Sequence, residues 1–202
     1  MKNYLLAHGF CFNNSYWKNL IGLLNGNVYY YDDNFLDTDN KEYIGIGHSL
    51  GFLKLNNSGL KFSHLISVQG FLNFCGDDPK TKKIREYNLE KMIQNFQNRP
   101  TDELKNFYKS CGWSKNEIPL KNVPNNFLED LKMMKNKYLH CGIKTTAIAT
   151  KGDKIVPQII TEDNFSGLKN VIIKYYLDDN IIHTLGFDKS EAIIDAINEI
   201  TN

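Results

Sequence analysis

Tyr43-Ile44-Gly45-Ile46-Gly47-His48-Ser49-Leu50-Gly51-Phe52 is an apolar strand that runs into a serine with glycine two residues before and two after it. The pattern Gly-x-Ser-x-Gly has a mechanical purpose. A serine carried on a sharp strand-to-helix turn needs small neighbours at both positions, or their side chains would collide with the adjoining backbone. Three fixed positions in five recur by chance. The strand before Ser49, the Leu-Gly-Phe after it and further motifs downstream give this match its weight.

The rest of the chain bounds the reading. Its 202 residues suit one domain with a core large enough to fold unaided. Hydrophobic content of 42% and charged content of 23% are those of an ordinary globule. A net charge of +1 predicts no strong attraction to nucleic acid or to a membrane surface. Cys11, Cys75, Cys111 and Cys141 are widely spaced, with no zinc-type grouping, so reduced thiols and no metal are expected. The segment Met1–Gly9 lacks the apolar length and the small-residue cleavage site of a signal peptide. No run approaches the roughly 18 apolar residues that cross a bilayer. A cytoplasmic monomer is the default expectation.

Six short, β-branched or aromatic runs predict buried parallel strands at Asn3–His8, Val28–Asp32, Glu42–Gly47, His64–Gly70, Thr145–Thr150 and Val171–Tyr176. Helical patterns between them argue for α/β winding, with Tyr16, Leu20 and Leu23/Leu24 on the apolar side of the first helix. Asp33–Lys41 is too short and polar for a helix and predicts a loop. From Gly76 to about Lys135 alternation stops and three helices are expected. One starts at Asp78-Pro79, with Leu89, Met92, Ile93 and Phe96 on its apolar side. A second runs from Pro100-Thr101 to Gly112 with Leu104, Phe107, Tyr108 and Cys111 on one face. The third lies near Asn126–Leu139. The expected division is a core of residues 1–75 and 140–202, with a helical lid inserted at 76–139. A last helix opens with Asp188 and Glu191 at capping-box spacing.

A nucleophilic Ser49 needs a base, and the base needs an orienting carboxylate. On strand-turn-helix serines the chain order is Ser, then Asp or Glu, then His. Of His8, His48, His64, His140 and His183, only His183 lies in a loop just behind the final strand. The acid should follow the penultimate strand, where Lys151-Gly152-Asp153-Lys154-Ile155-Val156-Pro157 offers Asp153 at the carboxyl edge of the sheet. Asp178 and Asp179 are the fallback acids, and Gly-Asp is also an ordinary turn. Two backbone N–H groups are expected to hold an oxyanion: Leu50, first in its helix, and Phe10, in the loop after the first strand beside Gly9.

These four pieces, HGF (8–10), GHSLG (47–51), GDKIVP (152–157) and HTLGF (183–187), resemble the oxyanion loop, nucleophile elbow, acid loop and base loop of the α/β-hydrolase family. More narrowly, the chain resembles a short form of the pimeloyl-[acyl-carrier protein] methyl ester carboxylesterases of biotin synthesis. The acid loop ending in Val-Pro, the His-x-x-x-Phe loop and the insert phrase LKNFYKSCG (104–112) carry that likeness. It departs where Phe52, not glycine, follows Gly51, where the family's leading antiparallel hairpin is not expected, and where the helix before the elbow strand is missing.

The resemblance implies a cofactor-free serine carboxylesterase that cleaves the methyl ester of pimeloyl-acyl-carrier protein to methanol and the free acid. It also implies an acidic carrier protein as partner. The insert, at +3 over residues 76–136 against −2 for the remainder, has Lys80, Lys82, Lys83 and Arg85 as candidates for a docking patch, or for a plain solvated face. Phe96, Phe107 and Tyr108 are candidates to line an acyl tunnel, or to pack in the core. The alternatives are an esterase or thioesterase of the same mechanism acting on another short acyl ester, and a binding module on an inactive hydrolase scaffold.

Overall fold

The computed structural model describes residues 1–32, 34–113 and 119–201. Six strands form one wholly parallel sheet: β1 (Lys2–Ala7), β2 (Gly26–Tyr30), β3 (Glu42–His48), β4 (Lys61–Val68), β5 (Thr145–Thr150) and β6 (Val171–Tyr176). Their order is β2-β1-β3-β4-β5-β6. All six expected strands are present. β4 starts three residues early and stops before Gln69, whose φ of 51° turns the chain out of the sheet. The central strands are covered on both faces, but β6 leaves Ile172 and Tyr175 exposed because an edge strand has a neighbour on one side only.

The order reverses about β1 and β3. Right-handed crossovers therefore put α1 (Lys18–Ile21) on one face and α2 (Leu50–Asn56) and α6 (Gln158–Phe165) on the other. α8 (Glu191–Thr201) packs beside α1 and against β4. The loops after β1 and β3 leave in opposite directions from adjacent strands, opening the crevice where parallel sheets bind ligands. The first expected helix is a 3-10 turn, Asn14–Trp17, running into α1. Tyr16 and Leu20 are buried as expected, while Leu23 is out in solvent. Asp33 lies outside the described residues; residues 34–41 form no helix, in line with the loop expected there.

Between β4 and β5 come α3 (Pro79–Asn98), α4 (Pro100–Ser110) and α5 (Phe127–Met134). Asp78 caps α3 by accepting from the Thr81 N–H at 2.8 Å, with Pro79 at the first helical position. Gly112, at φ 78°, ends α4. α5 is shorter than expected because the chain must return to the sheet. The Tyr138 N–H donates to the Leu72 carbonyl at 3.0 Å, and Asn73 bridges Lys137, so exit and re-entry of the insert lie side by side. Further bonds stitch the insert to the core. Lys54 of α2 pairs with Asp130 of α5 at 2.7 Å, and the Tyr108 hydroxyl donates to the Cys11 carbonyl. The core residue Phe10 is held edge-on by Phe96 of α3 and Phe107 of α4, at ring-centroid distances of 5.5 and 5.3 Å. The last helix starts at Glu191, after Asp188. Asp188 instead closes a separate short helix, α7 (Leu185–Asp188), where it accepts from the Thr184 hydroxyl.

Two glycines give a direct test of this packing. A Cβ on Gly51 would sit 2.1 Å from the Ala7 carbonyl oxygen, whereas one on Gly22 meets nothing within 4 Å. Gly22 already has an ordinary right-handed conformation, φ −66° and ψ −13°. Gly51→Ala should cost at least about 2 kcal/mol in urea unfolding, through backbone displacement. Gly22→Ala should leave stability unchanged or raise it by up to about 1 kcal/mol, by restricting the unfolded chain.

Candidate functional site

Ser49 closes β3 and opens α2 with φ 52° and ψ −122°, a conformation that a residue bearing a Cβ rarely adopts. Such strain costs on the order of 1–3 kcal/mol and persists only where the surroundings enforce it. Here the Ser49 N–H donates to the Val68 carbonyl at 2.9 Å, and its own carbonyl accepts from the Phe52 N–H at 3.1 Å. The flanking glycines permit the turn. A Cβ on Gly47 would lie 2.4 Å from the Phe52 Cα, as one on Gly51 would strike β1. Gly9 is equally constrained, since its Cβ would fall 2.7 Å from Nδ1 of His48 and 3.0 Å from the Ser49 Cβ. The 8–12 loop is thus pressed against the serine turn, and Phe10 and Ser49 line one cavity. Leu50 is the first residue of α2, where a backbone N–H has no acceptor within the helix.

Asp153 and His183 meet in the interior. Nδ1 of His183 lies 2.7 Å from Oδ2 of Asp153, and both side chains are essentially inaccessible to solvent. The other carboxylate oxygen, Oδ1, accepts from the N–H groups of Ile155 (2.8 Å) and Val156 (2.9 Å). With the carboxylate oxygen as acceptor, Nδ1 of His183 is the donor of this bond, and Nε2 is the ring nitrogen left for another partner. The fallback acids Asp178 and Asp179 do not compete: Asp178 accepts from Asn180 within its own turn and Asp179 pairs with Lys151 at the surface.

The loop carrying His183 is held from four directions. Gln69 donates to the Ile182 carbonyl and accepts from the Leu185 N–H at 3.0 Å, and Thr150 adds a bond to the same carbonyl at 3.1 Å. Nε2 of His48 donates to the His183 carbonyl at 3.1 Å, and the His183 N–H donates to the Cys111 carbonyl at the end of α4. His48 is stacked on Tyr16 at 4.3 Å and lies 4.7 Å from the His183 ring. Burial, and then the neighbouring His183, hold its pKa well below the usual histidine value, so it is a neutral strut. Burial pushes the Cys11 and Cys111 thiols well up, which leaves them protonated and poor nucleophiles.

A cavity of about 180 Å³ opens above Ser49, beneath the helical insert. Its wall is mainly apolar, including Phe10, Phe74, Leu89, Met92 and Phe107. Of the three candidate tunnel residues only Phe107 lines it. Phe96 packs behind Phe10, and Tyr108 is buried with its hydroxyl turned to the Cys11 carbonyl. The candidate docking patch also divides. Lys80, Lys82 and Lys83 are exposed on α3, but Arg85 turns inward and lines the cavity. The expectation of Arg85 as a surface docking residue is therefore corrected. Helical spacing contains the signal: Arg85 stands on the same face as Leu89, Met92 and Phe96. Sequence reasoning also missed Gln69 and His48 as supports of the base loop, and no local pattern marks either.

Among the described residues no cluster suits a metal ion, and no helix is long and apolar enough to cross a membrane. No family model and no curated protein sequence matches the chain. Solved structures do. An esterase from Exiguobacterium antarcticum superposes with a TM-score of 0.75 at 14% identity, covering 100% of this chain and 92% of that one. MenH from S. aureus gives 0.69 at 14%, covering 100% and 95%. A bromoperoxidase from Bacillus anthracis gives 0.75 at 13%, covering 99% and 91%. At such identities the likeness carries the fold alone, and that fold is the α/β-hydrolase fold.

The buried imidazoles make stability depend on pH. His48 is held far below its ordinary pKa, and half-buried His64 and His140 are lowered too, all chiefly by burial. Unfolding returns each to its ordinary value, so the unfolded chain binds more protons as the medium turns acid. Stability is full above about pH 6.5 and falls as pH drops through and below that value, by up to about 1.4 kcal/mol per pH unit for each proton taken up. Urea midpoints between about pH 8 and about pH 5 should show the fall, and His48→Gln should flatten it.

Proposed function

We propose that the protein is a serine ester hydrolase in which Ser49, His183 and Asp153 act as nucleophile, base and orienting acid. What supports this is a buried Asp153–His183 hydrogen bond of 2.7 Å together with a serine held at φ 52° on the wall of a mainly apolar cavity. Strain at a serine turn and a buried, fully bonded carboxylate–imidazole pair are costly to build and have a use in acyl transfer.

In this reading Nε2 of His183 takes the Ser49 proton as Oγ attacks the ester carbonyl. The tetrahedral oxyanion is received by the N–H groups of Leu50 and Phe10, each worth about 10²–10³ in rate. His183 then gives its proton to the departing alkoxide, an alcohol leaves, and water repeats the sequence on the acyl-enzyme. Asp153 stays ionised and fixes the tautomer. No metal or cofactor takes part.

For the substrate we infer a short acyl ester, and more narrowly the methyl ester of pimeloyl-acyl-carrier protein, cleaved to methanol and the pimeloyl thioester. What supports the narrower reading is the likeness of the acid loop, base loop and insert phrase at 104–112. The exposed Lys80, Lys82 and Lys83, at the start of a helix that also walls the cavity, suit an acidic carrier. Reversing all three to glutamate should slow turnover of the carrier-bound ester at low salt and leave free methyl esters unaffected; equal loss on both would remove the carrier from the proposal.

The mechanism has a direct test. Ser49→Ala should lose ester cleavage and labelling by a fluorophosphonate probe while keeping the wild-type unfolding midpoint. Asp153→Asn keeps an oxygen for the Ile155 and Val156 N–H groups but presents the wrong partner to Nδ1, so kcat should fall by about 10⁴. Wild-type turnover in either variant rules out the assignment.

A further inference from the structure

The cavity above Ser49 has one feature that ester hydrolysis does not use. Arg85 of α3 brings its guanidinium to the wall, where Nε donates to the Phe74 carbonyl and Nη2 to the Ile155 carbonyl, each at 2.8 Å. The guanidinium also lies over the Phe74 ring at 4.3 Å. These contacts fix its plane and use two of its five N–H donors; the remaining three have no hydrogen-bond partner among the described residues. Among the described residues no carboxylate pairs with it. Asp153 makes no bond to it, since its two oxygens are committed to His183 and to the Ile155 and Val156 N–H groups. Burial depresses the Arg85 pKa, with Cys75 and Asp153 opposing it in part. Lys154 adds a second cation to the lining, and none of the described lining residues is acidic.

A fixed, half-desolvated guanidinium with free donors, in a mainly apolar chamber shared with the serine, is a receptor for a planar anion. We propose that Arg85, assisted by Lys154, is the specificity-determining residue of this cavity, and that it selects acyl chains bearing a carboxylate away from the scissile ester, the half-esters of dicarboxylic acids. This rests on the serine-hydrolase reading and is an alternative to the carrier-bound substrate, whose far end is a thioester with no free carboxylate. Arg85 makes no contact with the reacting atoms in this role. It holds the far end of the acyl chain and so sets which ester carbonyl comes to Ser49.

The test compares three methyl esters of equal acyl length: monomethyl pimelate, dimethyl pimelate and methyl heptanoate. Wild-type enzyme should favour the half-ester in kcat/KM by about ten- to a hundred-fold, through KM, as expected for charge-assisted hydrogen bonds to one carboxylate. Arg85→Gln should abolish that preference while hydrolysis of methyl heptanoate continues. Arg85→Lys, which keeps the charge but not the fork, should retain only part of it. Pimelate should inhibit the wild type competitively, and far more weakly after Arg85→Gln.

Equal kcat/KM for the three esters in the wild type would overturn the proposal. So would an Arg85→Gln loss of the same size on neutral and charged esters, which would make Arg85 a mere brace of the acid loop. Both outcomes leave the hydrolase reading intact. Failure of that reading looks different: no ester is cleaved and Ser49 takes no fluorophosphonate label.

Discussion

The hydrogen bond between Asp153 and His183 is the constraint around which the rest of the site is arranged. A carboxylate withdrawn from water is costly unless every lone pair finds a donor. Asp153 meets this with an imidazole on one oxygen and two backbone N–H groups on the other. The N–H donors exist only if the 152–157 loop folds back over its own aspartate. The imidazole arrives only if the 177–184 loop is drawn across the sheet edge. Gly152 makes that crossing possible, because a Cβ there would lie 2.5 Å from the Asp179 carbonyl oxygen. Satisfying one buried charge thus sets the course of two loops.

The second loop has no regular structure of its own, and neighbouring strands supply its partners. β3 contributes His48, β5 contributes Thr150, and Gln69 follows directly on β4. Three elements of a rigid sheet thereby determine where one imidazole stands. The helical insert joins in through the Cys111 carbonyl, so the insert that covers the cavity is also bonded to the backbone of His183. Movement of α4 away from the sheet would therefore disturb His183, which couples access to the cavity with the geometry inside it.

The insert is thus less a separate lid than a third wall. Phe10 lies between its aromatic rings and the serine turn, and Arg85 reaches from α3 to the acid loop. The same guanidinium that ties insert to core lines the chamber and keeps donors that have no partner among the described residues. A structural tie and a recognition group coincide here because a guanidinium has more donors than its two carbonyl partners can occupy.

The sequence by itself determined the strand-turn-helix at Ser49, the six parallel strands and the helical interruption. It also put Asp153 and His183 forward in the right chain order. Each is a local consequence of residue type: β-branched runs extend, Pro and Asp open helices, and glycine allows a backbone approach that no side chain would. It did not determine that Arg85 turns inward while three neighbouring lysines stay in water, that Asp188 ends a separate short helix, or that α5 stops at Met134. Nor did it single out Gln69 and His48 as struts of the base loop. Those outcomes depend on partners far away in the chain, among them the Ile155, Ile182, His183 and Leu72 backbones. A polar side chain's direction is decided by whichever distant donor or acceptor the packed tertiary structure brings within reach.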